Sequence, residues 1–272
     1  MNEPNDSGHL AIDGASLEYR MIGPRPDAAP TIVMLHEGLG AVTTWGDFPE
    51  RLAERTGLGV FVYSRSGYGR SSTMTLPRPL DYMQREATGV LPKVLDAIGF
   101  RRGILFGHSD GATIAAWYGG SVQDHRVRGL ILMAPHFFME ASNIDAIRKT
   151  IVSYETTDLR ARLARHHADV DAAFRGWSGA WLDPGFLKFD TTDALAYIRV
   201  PVLVVQGAAD PYGTLAQVRV VEEECYCPVE TAVMDAVGHA PHREKPEETL
   251  QAVSAFTDRI FRAHGEGIEN AA

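Results

Sequence analysis

The chain has 272 residues, 45% hydrophobic and 22% charged, which is enough ordinary globular sequence for a substantial core. Its net charge of −9 at pH 7 gives no support to a nucleic-acid partner and reads as solubility. Met1 to Gly8 lacks the basic start and apolar stretch of a signal peptide, and no apolar run is long enough for a bilayer, so we expect a cytoplasmic protein without a membrane partner.

Met1 to Ser7 reads as a mobile tail. Leu10 to Ile22 forms two short extended stretches around Asp13-Gly14, a hairpin signal. Gly23 to Pro30 is a turn. Thr31-Ile32-Val33-Met34-Leu35 and Gly59-Val60-Phe61-Val62-Tyr63 are continuous apolar runs, the pattern of strands covered on both faces. Trp45 to Arg55 between them reads as a helix. Asp81 to Ile98 has helical spacing, with Gly99 as its stop. Gly103-Ile104-Leu105-Phe106 is a strand followed by a helix from Ala112 to Tyr118, and Val127 to Ala134 is another strand. From His136 to Ala196 the pattern turns helical and aromatic, with Phe137, Phe138, Tyr154, Phe174, Trp177, Trp181, Phe186 and Phe189. Strands resume at Val200 to Val205 and Thr231 to Val237, and a last helix spans Glu247 to Phe261. This alternation predicts an α/β fold, a mostly parallel twisted sheet with helices on both faces. The predicted division is a core of residues 1–135 and 197–272, interrupted by a helical cap over 136–196.

The most informative motif is Gly107-His108-Ser109-Asp110-Gly111, between a strand and a helix. Small residues on both sides of Ser109 permit a tight turn that exposes its hydroxyl at the strand's end. A serine hydroxyl is a weak nucleophile and needs a base with an orienting acid. His239, after Gly238, supplies the base, and Asp210, after the Val202–Ala209 run, supplies the acid. His242 competes with His239, and Asp235, within the last strand, competes with Asp210. The amide of Asp110 opens a helix beside the nucleophile and is an oxyanion donor; its carboxylate favours the helix dipole. Cys225 and Cys227, neighbours but one, are poor geometry for a disulfide and read as free thiols of a reducing compartment. His166-His167 reads as a solvated helix pair, since no third metal ligand stands at a suitable spacing. Gly67-Tyr68-Gly69 lacks the continuation of a phosphate loop. We therefore expect no metal and no cofactor.

Taken together, Leu35-His36-Glu37-Gly38-Leu39-Gly40, Ser64 to Ser72, the Ser109 turn, the Asp210 loop and Gly238 to Pro246 resemble the α/β-hydrolase-fold serine hydrolases, over most of the chain. The resemblance implies the order Ser109, Asp210, His239 for a catalytic triad, with each residue at a strand end. Laying His36-Glu37-Gly38 over the His-Gly-x of such enzymes makes the Gly38 amide the second oxyanion donor, with Leu39 as fallback. The chain departs from that pattern at Glu37, which is either a hydrogen-bonded structural acid or a residue that enters the pocket and tunes its charge. His36 braces the loop. Trp45 lines the pocket or packs the loop, and His136 reaches substrate or serves as a hinge. The implied activity is that of a carboxylesterase-like serine hydrolase acting on a small-molecule ester with a fairly apolar acyl or alcohol part. Thioesterase, lactonase and carbon–carbon bond hydrolase are its enzymatic alternatives, and a small-molecule receptor is the non-enzymatic one. A homo-oligomer is compatible with the sequence.

Overall fold

The structure, a computed structural model, describes residues 5–263. Strand β1 (Asn5–Ile12) and strand β2 (Ala15–Ile22) form an antiparallel hairpin. Asp13 and Gly14 both sit at positive φ, which matches the twist of the flanking strands. Asn5 to Ser7, expected in a mobile tail, instead pair with Ile22 to Arg20; Met1 to Pro4 lie outside the described residues. The remaining strands are β3 (Thr31–Leu35), β4 (Gly59–Tyr63), β5 (Gly103–His108), β6 (Val127–Met133), β7 (Val202–Gly207) and β8 (Val229–Met234). Their spatial order is β1-β2-β4-β3-β5-β6-β7-β8. β2 meets β4 antiparallel, and every later pairing is parallel.

All residues of β3, β4, β5 and β7 are buried, because helices cover both faces of the sheet. The helices are α1 (Phe48–Thr56), α2 (Tyr82–Arg85), α3 (Leu91–Ala97), α4 (Asp110–Ser121), α5 (Ala141–Thr156), α6 (Leu159–Leu163), α7 (Val170–Trp181), α8 (Ala216–Glu224), α9 (Pro241–Glu244) and α10 (Pro246–Ala263). Side chains alternate across the strands. Val33, Leu35, Leu105 and Leu132 face α3 and α4, whereas Ile32, Met34, Ile104 and Met133 face α1 and α10. Among the described residues no helix is long and apolar enough to cross a membrane.

Four boundaries differ from expectation for identifiable backbone reasons. The helix predicted from Trp45 is a short 3₁₀ turn (Val42–Trp45), broken by Gly46 at φ 62°, before α1 begins. The helix predicted over Asp81 to Ile98 carries one π turn (Glu86–Val90) just before Pro92, whose missing N–H interrupts the ladder. β7 starts at Val202, after Pro201, rather than at Val200. β8 ends at Met234, and Ala236 turns the chain at φ 57°. Between β6 and β7 lie α5 to α7 and two further 3₁₀ turns, with one isolated bridge from Phe138 to Asp190 and no strand of the sheet.

Candidate active site

Ser109 joins β5 to α4 at φ 54° and ψ −118°, a region that an L residue holds only when its surroundings impose it. The two glycines of the motif permit the turn. A Cβ on Gly107 would collide with the Gly111 carbonyl oxygen, and one on Gly111 with the Leu35 carbonyl oxygen. The Ser109 amide donates to Met133 O at 2.8 Å, and Ser109 O accepts from Ala112 N and Thr113 N at 2.9 and 3.1 Å. Asp110 is the first residue of α4, so its amide is among the N–H groups that a helix start leaves without an intrahelical partner.

Past β7, Asp210 meets His239 from the loop after β8, with His239 Nδ1 2.7 Å from Asp210 Oδ2. A carboxylate accepts only, so Nδ1 carries the proton. Gln206 Nε2 also donates to Oδ2, at 3.0 Å, and the Tyr212 amide donates to Oδ1 at 2.8 Å. Burial pushes the Asp210 carboxyl up, but the His239 charge and hydrogen bond and the Tyr212 amide outweigh it and hold the group below its usual range. His108 Nε2 donates to the His239 carbonyl at 2.7 Å, tying the end of β5 to the His239 loop. Neither competitor reaches this pair. Asp235 lies beyond β8 rather than inside the last strand, and is exposed. His242 is buried against Trp45 and Phe48, at ring distances of 5.0 and 5.7 Å.

The loop after β3 is held by two histidines. His36 Nε2 accepts from Arg65 N at 3.0 Å, so its Nδ1 donates to Glu37 O at 2.7 Å. Burial holds His36 well below the usual histidine range, which keeps the ring neutral for both bonds. Arg65 adds bonds to His36 O at 2.6 Å and Glu37 O at 3.2 Å. His167, expected to be solvated, is buried. Its Nδ1 accepts from Gly69 N at 3.0 Å and its Nε2 donates to Leu39 O at 2.9 Å. His166 Nδ1 lies 2.8 Å from Thr43 Oγ1. Sequence reading missed the bracing role of His167, and no spacing signal announces a bond across so many residues.

Ser109, His239, Gly38, Leu39, Glu37 and His136 line one cavity of about 130 Å³, closed on its other side by Asn143 and Ile147 of α5, Trp177 and Trp181 of α7, and Tyr212. His136 is fully buried, and loss of solvation, with the His239 charge, pushes its pKa down to about 3. Asn143 Nδ2 lies 3.4 Å from His136 Nδ1 and donates to Tyr212 O. Of the expected pocket residues, Trp45 must be corrected. It is buried behind the cavity, with its ring 5.8 Å from Phe106, because the Val42–Trp45 turn aims it into the core. Of the aromatics between His136 and Ala196, Trp177 and Trp181 line the cavity, while Phe137, Phe174 and Phe186 pack in the core. The Asp110 carboxylate does more than favour a dipole. It is buried and accepts from Tyr82 Oη at 2.5 Å, and Trp181 Nε1 donates to the same phenol oxygen at 3.0 Å. Among the described residues no group of three or more His, Cys, Asp or Glu side chains could hold a metal ion, and both cysteines are free.

Comparison with known proteins agrees with this fold. A family model described as "Alpha/beta hydrolase family" matches residues 32–252. A 3-oxoadipate enol-lactonase of Acinetobacter baylyi is 26% identical over 269 residues, covering 91% of this chain and 95% of its own length. A bifunctional esterase/perhydrolase of Acinetobacter calcoaceticus is 25% identical, covering 73% of this chain and 80% of its own. The crystal structure of a hydrolase from Pseudomonas aeruginosa superposes with a TM-score of 0.71 at 21% identity, over 92% of this chain and 98% of that one.

Proposed function

The chain belongs to the alpha/beta hydrolase family, and from that premise we propose that it is a serine hydrolase cleaving carboxylic esters through an acyl-enzyme on Ser109. The observation that carries this reading is the 2.7 Å contact between His239 Nδ1 and buried Asp210, opening on the same cavity as a serine held at φ 54°. With Nδ1–H bound to Asp210, His239 Nε2 is left to act as base. Ser109 Oγ attacks the ester carbonyl and gives its proton to Nε2. The amides of Gly38 and Asp110 receive the oxyanion. The carbon–oxygen bond then breaks, and His239 returns the proton to the departing alcohol. Water repeats the sequence on the acyl-enzyme and releases the acid. Asp210 stays ionised throughout, which its hydrogen bonds favour.

Residues 136–196 serve in this reading as a cap, supplying Trp177 and Trp181 as an apolar wall. A lactone is an internal ester opened by the same steps, and the enol-lactonase relative, aligned over nearly all of both chains, favours it as the second reading. Intact-mass spectrometry after treatment with a fluorophosphonate tests the proposal. One adduct is expected on the native protein and none on Ser109→Ala; no adduct on the native protein refutes an activated Ser109.

A further inference from the structure

The oxyanion-side wall of the cavity carries a charge that ester hydrolysis does not require. Glu37 lines the cavity beside Gly38 with its side chain 20% exposed. Burial would raise its carboxyl, but the neighbouring His108 side chain and the Arg243 charge outweigh it and hold the group well below the usual range. His108 Nδ1 stands 3.5 Å from Glu37 Oε2. Among the described residues lining the cavity Glu37 is the only acid, none is Lys or Arg, and His136 is neutral. Across from it stand the indoles of Trp177 and Trp181. Trp177 lies directly on Gly38, where a Cβ would collide with its Cδ1 and Nε1. The Glu37 carboxyl lies on Gly40, where a Cβ would collide with its Oε2 and Cδ, two residues along the same loop from the indole on Gly38.

An ionised carboxylate next to a forming oxyanion raises the barrier for any substrate that brings a second negative charge, and a water-poor cavity strengthens the effect. A substrate cation reverses it: the cation pairs with the carboxylate and lies against the faces of the aromatic rings, which attract cations. We propose that Glu37, with Trp177 and Trp181, selects esters whose acyl or alcohol part carries an ammonium group and turns away esters that carry a carboxylate. This inference rests on the reading of the chain as a Ser109 ester hydrolase, and deepens it to a substrate class.

Three methyl esters of matched length test it by pH-stat. One is the methyl ester of γ-trimethylammonio-butyrate, the second its uncharged isostere with tert-butyl in place of trimethylammonium, and the third monomethyl glutarate. The cationic ester should exceed its isostere by at least about tenfold in kcat/KM, the scale of a partly desolvated cation–carboxylate and cation–π contact, and the anionic ester should be slowest. Glu37→Gln should cut the ratio of cationic to neutral ester by about tenfold. Equal rates for the isosteric pair, or a ratio untouched by Glu37→Gln, overturn the selection. Calorimetry of Ser109→Ala with the same esters separates the two levels of the argument. If no ester is cleaved but the cationic one alone binds, and binding needs Glu37, the hydrolase reading falls and the charge selection stands. If neither cleavage nor charge-dependent binding is seen, both fall.

Discussion

Asp210→Asn tests the site at its most constrained atom. Asp210 Oδ2 accepts two hydrogen bonds, from His239 Nδ1 at 2.7 Å and Gln206 Nε2 at 3.0 Å, and Oδ1 accepts one from the Tyr212 amide. An asparagine must put its NH₂ at one of these positions. At the Oδ1 position it faces the Tyr212 N–H, and one buried donor is left unpaired. At the Oδ2 position it faces two donors at once, and His239 can relieve its share only by moving its proton to Nε2, the tautomer that cannot accept from Ser109. The first arrangement costs about 1 to 3 kcal/mol for an unsatisfied buried group. The second costs activity on the scale of a misdirected imidazole, about 10⁴ in kcat as known for another triad enzyme. The expected outcome is a fall in kcat of at least about 10², with KM little changed, because the aspartate touches the base and not the substrate. Asp235→Asn, altering an exposed residue beyond β8, should stay within about twofold of wild type. Initial rates on a p-nitrophenyl ester, with the rate of fluorophosphonate labelling alongside, measure both variants. Asp210→Asn within about threefold of wild type, or a larger loss in Asp235→Asn, refutes the assignment.

Gly111→Ala should lower the melting temperature and abolish fluorophosphonate labelling, because the added methyl meets the backbone oxygens of Leu35 and His36; overpacking of this kind costs about 1 to 3 kcal/mol or more. An unchanged melting curve would show that the turn is looser than the contact implies. His167→Phe should destabilise by roughly 1 to 3 kcal/mol and lower kcat, since Leu39 O and Gly69 N lose their partner and the Gly38-Leu39 segment its anchor. Wild-type kcat in that variant would remove His167 from the bracing of the loop. Acid should destabilise the fold through buried neutral histidines. The pKa of His136 is lowered from 6.5 to about 3, so the unfolded chain binds the proton first. The stability this group favours is present above pH 6.5 and is lost as pH falls towards about 3. Its share of the slope is at most about 1.4 kcal/mol per pH unit. Urea melts between neutral and acid pH should therefore steepen with acid, and His136→Leu should flatten the dependence; an identical slope in the variant refutes the neutral, buried assignment.

The parts of the site legible in the sequence are those fixed by local backbone demands. A serine between two glycines after an apolar run can only be a tight turn at a strand end, and Asp210 and His239 follow strands that must lie in the same sheet. Side-chain direction was not legible. Trp45 points into the core because the Val42–Trp45 turn aims it there, and a pattern of residue types carries no such information. The paired histidines at 166 and 167 look alike in sequence, yet His167 spans to Gly69 and Leu39 while His166 meets Thr43. Helical spacing placed eight aromatics between His136 and Ala196 without saying which face of each helix meets the cavity. Asp110 looked like an acid at a helix start, because its real partner, Tyr82, comes from a helix before the Ser109 turn that nothing in the motif connects to it.

That last contact bears on how the site works as a unit. The phenol of Tyr82 donates to the Asp110 carboxylate and accepts from the Trp181 indole, and the Arg78 guanidinium lies 3.9 Å from its ring centre. Trp181 lines the cavity, and Asp110 carries the amide beside the nucleophile. One buried hydroxyl therefore joins the wall that would recognise substrate to the peptide that would stabilise the oxyanion. On the opposite side, His167, between α6 and α7, holds Leu39 O next to Gly38. The helical segment is bonded at both ends of the oxyanion site. Displacing it from the sheet would break buried hydrogen bonds on each side and leave their partners unpaired, at a cost of about 1 to 3 kcal/mol apiece. Buried hydrogen bonds at Tyr82 and His167 thus tie the helical segment to Asp110 and, through Leu39, to Gly38, the two residues whose amides are the proposed oxyanion donors.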